Sequence, residues 1–309
     1  MPKPILVGFD PRSPDQSPVE FGVAAARFTG APLIVASVHG SSTAVGAAGR
    51  ALVEAELEGQ DDEALAQVAR RLEADGVDAE CRSLPGVSAP RALHNAAEEL
   101  DAGLLVIGST DRGAAGRVLP GSTAQRLMHG APCPLAVVPH GWQAGGGLNT
   151  IGVAFVDTPE GHEALDGAVA LARRSGARLR VLSAASPRGF GRTFGGGDAL
   201  TPAITYEEVG SAIRAAAERA VERATAGADD IGVEPDVSVG DPADFLIAVS
   251  EGLDLLICGS RGYGPARAVL LGGVSRRVTA EAQCPVIVLV RGAEAGLEAL
   301  IGGRSSAIG

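Results

Sequence analysis

The chain has 309 residues, 46% of them apolar and 20% charged, with a formal net charge of −11 and 3% aromatic content. An acidic, aromatic-poor chain offers neither the basic face nor the stacking platform that nucleic acid requires, and it disfavours acidic lipid surfaces. No apolar run reaches the roughly 18 residues of a membrane span, and the opening MPKPILVGFDPRSP is too short in apolar length for a secretory leader, so a cytoplasmic protein is expected.

Taken in order, short branched-apolar runs alternate with longer helical patterns. Strands are predicted at 4–9, 33–38, 79–83, 104–108 and 135–138, with helices at about 17–29, 48–75, 88–100 and 122–130 between them. The second half repeats the scheme, with strands at 150–155, 179–184, 236–239, 255–259 and 286–290 and helices at about 162–175, 205–227, 242–252 and 274–281. Most runs are continuously apolar, as parallel strands covered on both faces must be. The alternation predicts an α/β fold of two doubly wound, Rossmann-like domains. We place the first at 1–140 and the second at 150–292, joined by a glycine-rich linker at 141–149 and followed by a loosely ordered tail at 293–309.

The halves are copies of one another. Residues 107–138 lie without a gap over 258–289 at an offset of 151, with twelve identities in thirty-two pairs, among them Gly108/Gly259, Gly121/Gly272, Cys133/Cys284 and Pro134/Pro285. The equivalent cysteines, with no close-spaced pair among the four, read as buried reduced thiols. The five histidines show no ligand spacing, and no metal is expected. Lys3 is the only lysine, which excludes Schiff-base catalysis and a Walker-type phosphate loop.

Each copy nevertheless sets a glycine-rich loop between a strand and a helix, where backbone amides can surround an anion. The second copy reads Gly259-x2-Gly262-x9-Gly272-Gly273-Val274-Ser275. Glycines let the backbone approach a ligand closely, and the helix amides with the Ser275 hydroxyl are candidate donors to phosphate oxygens. Three or four charge-assisted bonds of roughly 1.5–3 kcal/mol each would suffice for micromolar binding without lysine.

At these residues the chain resembles the universal stress protein family, in its tandem two-domain form. ILVGFD at the start, the VIGS and LICGS loops, and the closing APCPLAVV and QCPVIVLV carry the likeness over nearly the whole chain. The resemblance implies a five-stranded parallel sheet of order 3-2-1-4-5 in each domain, paired through the last strands as an intrachain pseudo-dimer, with a further homodimer unsurprising. It also implies binding of ATP, with or without Mg2+, at the strand ends, and a role in stress and dormancy. Asp10 falls where the family places an acidic residue near the adenosine, and Val38 where backbone groups recognise adenine.

The match is uneven. In the first half Gly108-x2 leads to Asp111 instead of glycine, before Gly121, Ser122 and Thr123. A carboxylate about 6 Å from one phosphate charge costs roughly 3 kcal/mol at an effective dielectric near 20, about a hundredfold in affinity. The second half keeps its glycines, with Gly273 in place of the usual Ser or Thr, but Val156 stands where the acidic residue belongs, and Asp157 is the nearest substitute. Gly86 and Gly240 follow the third strands, beside the nucleotide by resemblance. Asp10 is equally read as a turn cap, Ser122 and Thr123 as plain helix N-caps, and the glycines as packing residues.

The expectation is an adenine-nucleotide-binding regulatory protein that turns ATP over slowly or not at all. A ligand-free interaction module with degenerate pockets is the alternative. Adenylyl transfer is disfavoured because neither HxGH nor SGGxDS occurs.

Overall fold

A computed structural model describes residues 1–39, 47–109, 122–185, 206–259, 273–290 and 296–302. The first half runs β1 (Ile5–Phe9), α1 (Ser17–Thr29), β2 (Leu33–His39), α2 (Ala47–Ala74), β3 (Ala79–Pro85), α3 (Ala89–Glu99), β4 (Leu104–Gly108), α4 (Ser122–Leu127) and β5 (Leu135–Val138). The second runs β6 (Thr150–Ala154), α5 (Pro159–Ser175), β7 (Arg178–Ala185), α6 (Tyr206–Thr225), β8 (Val233–Val239), α7 (Pro242–Ser250), β9 (Leu255–Gly259), α8 (Gly273–Glu281) and β10 (Val286–Leu289). A 3-10 turn, η1 (Leu297–Ile301), follows.

All ten strands join one sheet of order β3-β2-β1-β4-β5-β10-β9-β6-β7-β8, so each half has the order 3-2-1-4-5. Pairing within each half is parallel, and the halves meet through antiparallel β5 and β10. Ala136 pairs with Ile287, its own equivalent at the offset of 151, so the local twofold passes through that pair. The strand carboxyl ends of the two halves therefore open at opposite edges of the sheet.

Because β1, β4, β5 and their counterparts are apolar on both faces, each face needs its own cover. One core cluster spans both halves beneath α1, α2 and α5, built from Ile5, Val7, Leu104, Ile151, Val153 and Leu255 among others. The opposite face carries two separate clusters, one per half, with Leu6, Leu105 and Leu135 in the first and Leu256, Val286 and Val288 in the second. Alternation along each strand divides the residues between faces. Helix α1 rides so close to β1 that a Cβ on Gly22 would lie 2.4 Å from a Val7 methyl.

The helix ends follow local rules. Gly30 and Gly176, 146 positions apart, end α1 and α5 in the left-handed conformation at φ 72° each. Helix α5 begins at Pro159, ahead of the predicted 162, because Thr158 caps it by accepting from the Gly161 amide at 3.2 Å. Strand β8 begins at Val233 rather than 236. It is an edge strand, where Glu234, Pro235 and Asp236 are tolerated and Asp236 pairs with Arg180 at 2.6 Å.

The expected loose tail is corrected in part. Leu297 and Leu300 are each 1% exposed and belong to the core that spans both halves. Burying two leucines contributes about 1.5–3 kcal/mol each, which outweighs the glycines and small residues that made the segment look unstructured. Residues 291–295 and 303–309 lie outside the described residues, as does the glycine-rich stretch 189–198.

The cysteines carry a first prediction. Burial pushes the Cys133 and Cys258 thiols up to about 12 and raises Cys284 as well, while half-buried Cys81 is raised mainly by burial and then by Glu80. At pH 8 only about one thiol in ten thousand is then thiolate at Cys133 or Cys258. Iodoacetamide on the native protein should label Cys81 first, with the other three reacting only on unfolding. Peptide mass mapping over time would show it, and early label at Cys258 would contradict the assigned burial.

Candidate functional site

In a doubly wound sheet the strand order reverses at one point, and the adjacent chains leave in opposite directions, opening a crevice at the strand carboxyl ends. In the second half that point lies between β6 and β9. A hollow of about 520 Å³, open solvent at its mouth included, sits there. Its walls come from the ends of β6 (Ala154, Phe155, Val156), β7 (Leu182, Ala184) and β9 (Cys258, Gly259), from Gly161 of α5, Pro242 and Leu246 of α7, and Val274 and Ser275 of α8.

The predicted residues divide between wall, rim and elsewhere. Gly259, Val274 and Ser275 are brought together in the wall. A Cβ on Gly259 would lie 3.4 Å from the Glu160 carbonyl oxygen, an ordinary van der Waals contact, so α5 lies beside the end of β9 without requiring glycine there. Ser275 is 4% exposed, and its hydroxyl donates to the Gly259 carbonyl at 3.1 Å. This bond ties α8 to the end of β9 and commits the hydroxyl proton inward. Gly273 is the first residue of α8 and is exposed, with nothing within 4 Å of a Cβ built there. Gly240 is likewise open, and its neighbour Asp241 caps α7 by accepting from the Ala243 and Asp244 amides at 3.0 and 3.1 Å. Gly262 and Gly272 lie outside the described residues.

Asp157 is not brought to the hollow. Its carboxylate meets the His162 ring at 2.9 Å and Arg223 of α6 at 3.5 Å. His162 first, and Arg223 after it, hold this carboxyl below its usual range. The position that faces the hollow is Val156.

Gly161 was not foreseen. A Cβ there would lie 1.9 Å from the Val156 carbonyl oxygen, so only glycine lets the first turn of α5 close over the end of β6. Replacing Gly161 by alanine should cost about 1–3 kcal/mol of stability. The ~1 kcal/mol gained in helix propensity does not offset a contact with backbone. A thermal midpoint at or above that of the wild type would show that the wall is not packed this way.

The first half is built differently at the equivalent place. Asp10 is exposed and turns the chain, its carboxylate accepting from the Arg12 amide and its carbonyl from Ser13, each at 3.0 Å. Val38 is half-buried against the first-half core, 3.5 Å from where a Gly86 Cβ would lie. Thr123 lies in the first turn of α4, which opens at Ser122, while Asp111 and Gly121 lie outside the described residues. A Cβ on Gly108 would meet Pro18 at 2.9 Å and an Asp15 carboxylate oxygen at 3.7 Å.

Asp15 is the second residue that the sequence reading passed over. Its side chain is 6% exposed. One oxygen accepts from the Ser17 amide at 3.1 Å, the Ser17 hydroxyl at 2.6 Å and the Gly141 amide at 3.2 Å, and the other lies 3.4 Å from His140 Nδ1. The His140 amide donates to Ser109 Oγ at 2.9 Å. The interdomain segment is thus fastened over the end of β4 by an internal anion. At the offset of 146 that aligns β1 with β6 and the C-cap of α1 with that of α5, Asp15 stands opposite Gly161. One half carries a carboxylate where the other carries a glycine in the wall of a hollow.

No helix among the described residues is long and apolar enough to cross a membrane, and no cluster of three or more His, Cys, Asp or Glu among them could hold a metal ion.

Comparison with known proteins agrees with this architecture. The sequence model of the universal stress protein family matches residues 1–139 and again 147–291. A universal stress protein of Mycobacterium tuberculosis is 26% identical over 301 residues, covering 92% of this chain and 99% of its own length. One from Mycolicibacterium smegmatis is 35% identical over 139 residues, 45% of this chain and 99% of its own. A solved universal stress protein from Archaeoglobus fulgidus shares the fold, with a TM-score of 0.68 at 21% identity over 94% of this chain and 98% of that one. Two consecutive matches to one family, laid onto two copies of one sheet topology, make the chain a tandem member of the universal stress protein family.

Proposed function

We propose that this protein binds one adenine nucleotide per chain, ATP foremost and with or without Mg2+, in the hollow of its second half, and that occupancy regulates the protein in a stress response. The observation that carries the reading is the apolar hollow at the switch point with the amino end of α8 on its rim. Ala184, Leu182 and Val156 offer a flat base an apolar bed, and the start of α8 offers anionic oxygens backbone amides and the positive end of a helix dipole. Since Ser275 donates inward, the phosphate donors in this reading are the amides around Gly273 and Val274. Binding then biases conformation or partner choice by its differential affinity for two states. Turnover is expected to be slow, because the described wall brings apolar side chains and one committed hydroxyl to the ligand.

For the first half the alternative reading, an idle pocket serving only as architecture, is favoured by Asp15, whose buried carboxylate lies beside Gly108 at the end of β4 and already accepts from Ser17 and Gly141. Titration calorimetry of the full chain with ATP, ADP and AMP, each with and without Mg2+, tests both statements. One equivalent at micromolar affinity is expected. No heat at millimolar ATP would end the nucleotide reading, and two equivalents would end the asymmetry.

A further inference from the structure

We propose that the C-terminal segment around η1 is a releasable clasp that ties the two halves together and props the α5 wall of the second-half hollow. It touches both halves at once. Leu297 packs on α5, where a Cβ on Gly167 would come within 2.9 Å of the Leu297 Cβ. Leu300 reaches the first half, 3.0 Å from where a Gly103 Cβ would lie, and the Lys3 amide donates to the Ala299 carbonyl at 3.0 Å. Gly302, at φ 75°, turns the chain back beside Pro2. Glycines at 103 and 167 therefore form two sockets, one per half, for leucines spaced three apart on one turn.

Like charge opposes this apolar grip. Glu163, on the exposed side of α5, is raised above its usual range first by partial desolvation, then by Glu298 of the clasp and by Glu160 of its own first turn. From α1, Glu20 is engaged by Arg71. Glu298 is brought to that surface only when the clasp is docked, so docking works against carboxylate repulsion. The same first turn of α5 supplies Gly161 to the hollow and seats the Glu160 carbonyl beside Gly259. A segment gripping α5 from one side thus restrains the wall on the other.

The test is amide hydrogen exchange by NMR on the full chain at pH 7 with no ligand added, so it stands apart from the nucleotide reading. The Lys3 amide reports docking, and the Gly161 amide, bonded to Thr158 Oγ1, reports the wall. Leu300→Ala should speed exchange of both by about thirtyfold or more, the lower end of a buried leucine truncation. Glu163→Gln, which keeps the shape and removes the repulsion, should slow the Lys3 amide about two- to fivefold, the range of a partly exposed charge pair. An unchanged Lys3 amide in both variants overturns the clasp. A faster Lys3 amide beside an unchanged Gly161 amide overturns its hold on the wall.

Discussion

Asp15→Ala should destabilise the protein by about 3–5 kcal/mol, the cost of removing the charged partner from a buried, hydrogen-bonded set. Three donors lose their acceptor together: the Ser17 amide, the Ser17 hydroxyl and the Gly141 amide. The first two start α1, and the third fixes the interdomain segment. The loss should therefore appear in urea or thermal unfolding and also as faster exchange at Gly141. Asp15→Asn keeps one acceptor oxygen and should lose about half as much. A loss below ~1 kcal/mol for the alanine variant would mean that water already satisfies these groups and that no internal anion latches the segment.

Gly262→Asp should weaken nucleotide binding by about a hundredfold with little change in thermal midpoint. The substitution gives the second half the carboxylate that Asp111 gives the first. One unit charge at about 6 Å from a phosphate, in an effective dielectric near 20, opposes binding by roughly 3 kcal/mol. A triphosphate should suffer more than a monophosphate, so the ratio of ATP to AMP affinity should fall in the variant. Raising ionic strength should recover part of the loss, since exposed charges are screened within about 10 Å at 0.1 M salt. Unchanged ATP affinity in calorimetry would remove this loop from the binding site and leave the hollow as an apolar cleft of another use.

The two predictions rest on one asymmetry, which was only half visible in the sequence. Asp111 stood out against Gly262 because the copies align there without a gap. Asp15 did not stand out against Gly161, because the offset shifts from 151 to 146 between the two ends of each half. Asp15 also sits in a polar stretch, DQSP, of the kind that ordinary turns use. The consequence of its place comes from Gly141, 126 residues away. Asp157 shows how neighbours far in sequence place a side chain. Proximity in sequence to the missing acidic position suggested a substitute, whereas His162, five residues on, and Arg223 of α6 engage its carboxylate outside the hollow's wall.

What the amino-acid order determined by itself was everything governed by near neighbours. The apolar runs marked the strands and the continuous pattern marked their parallel, two-faced burial. Helix ends are set just as locally, at Gly30, Gly176, Thr158 and Asp241, by the backbone conformation or the side-chain acceptor that each supplies, although the Thr158 cap escaped the sequence reading. Tertiary structure alone decided the contacts between groups far apart in the chain. The antiparallel join of β5 to β10, the closure of Gly161 over Val156, the latch at Asp15 and the docking of Leu297 and Leu300 all depend on which surfaces meet. A local pattern records only that a leucine prefers burial or a carboxylate needs donors. Where that burial and those donors are found is set by long-range packing, whose loop-closure cost only the assembled core repays.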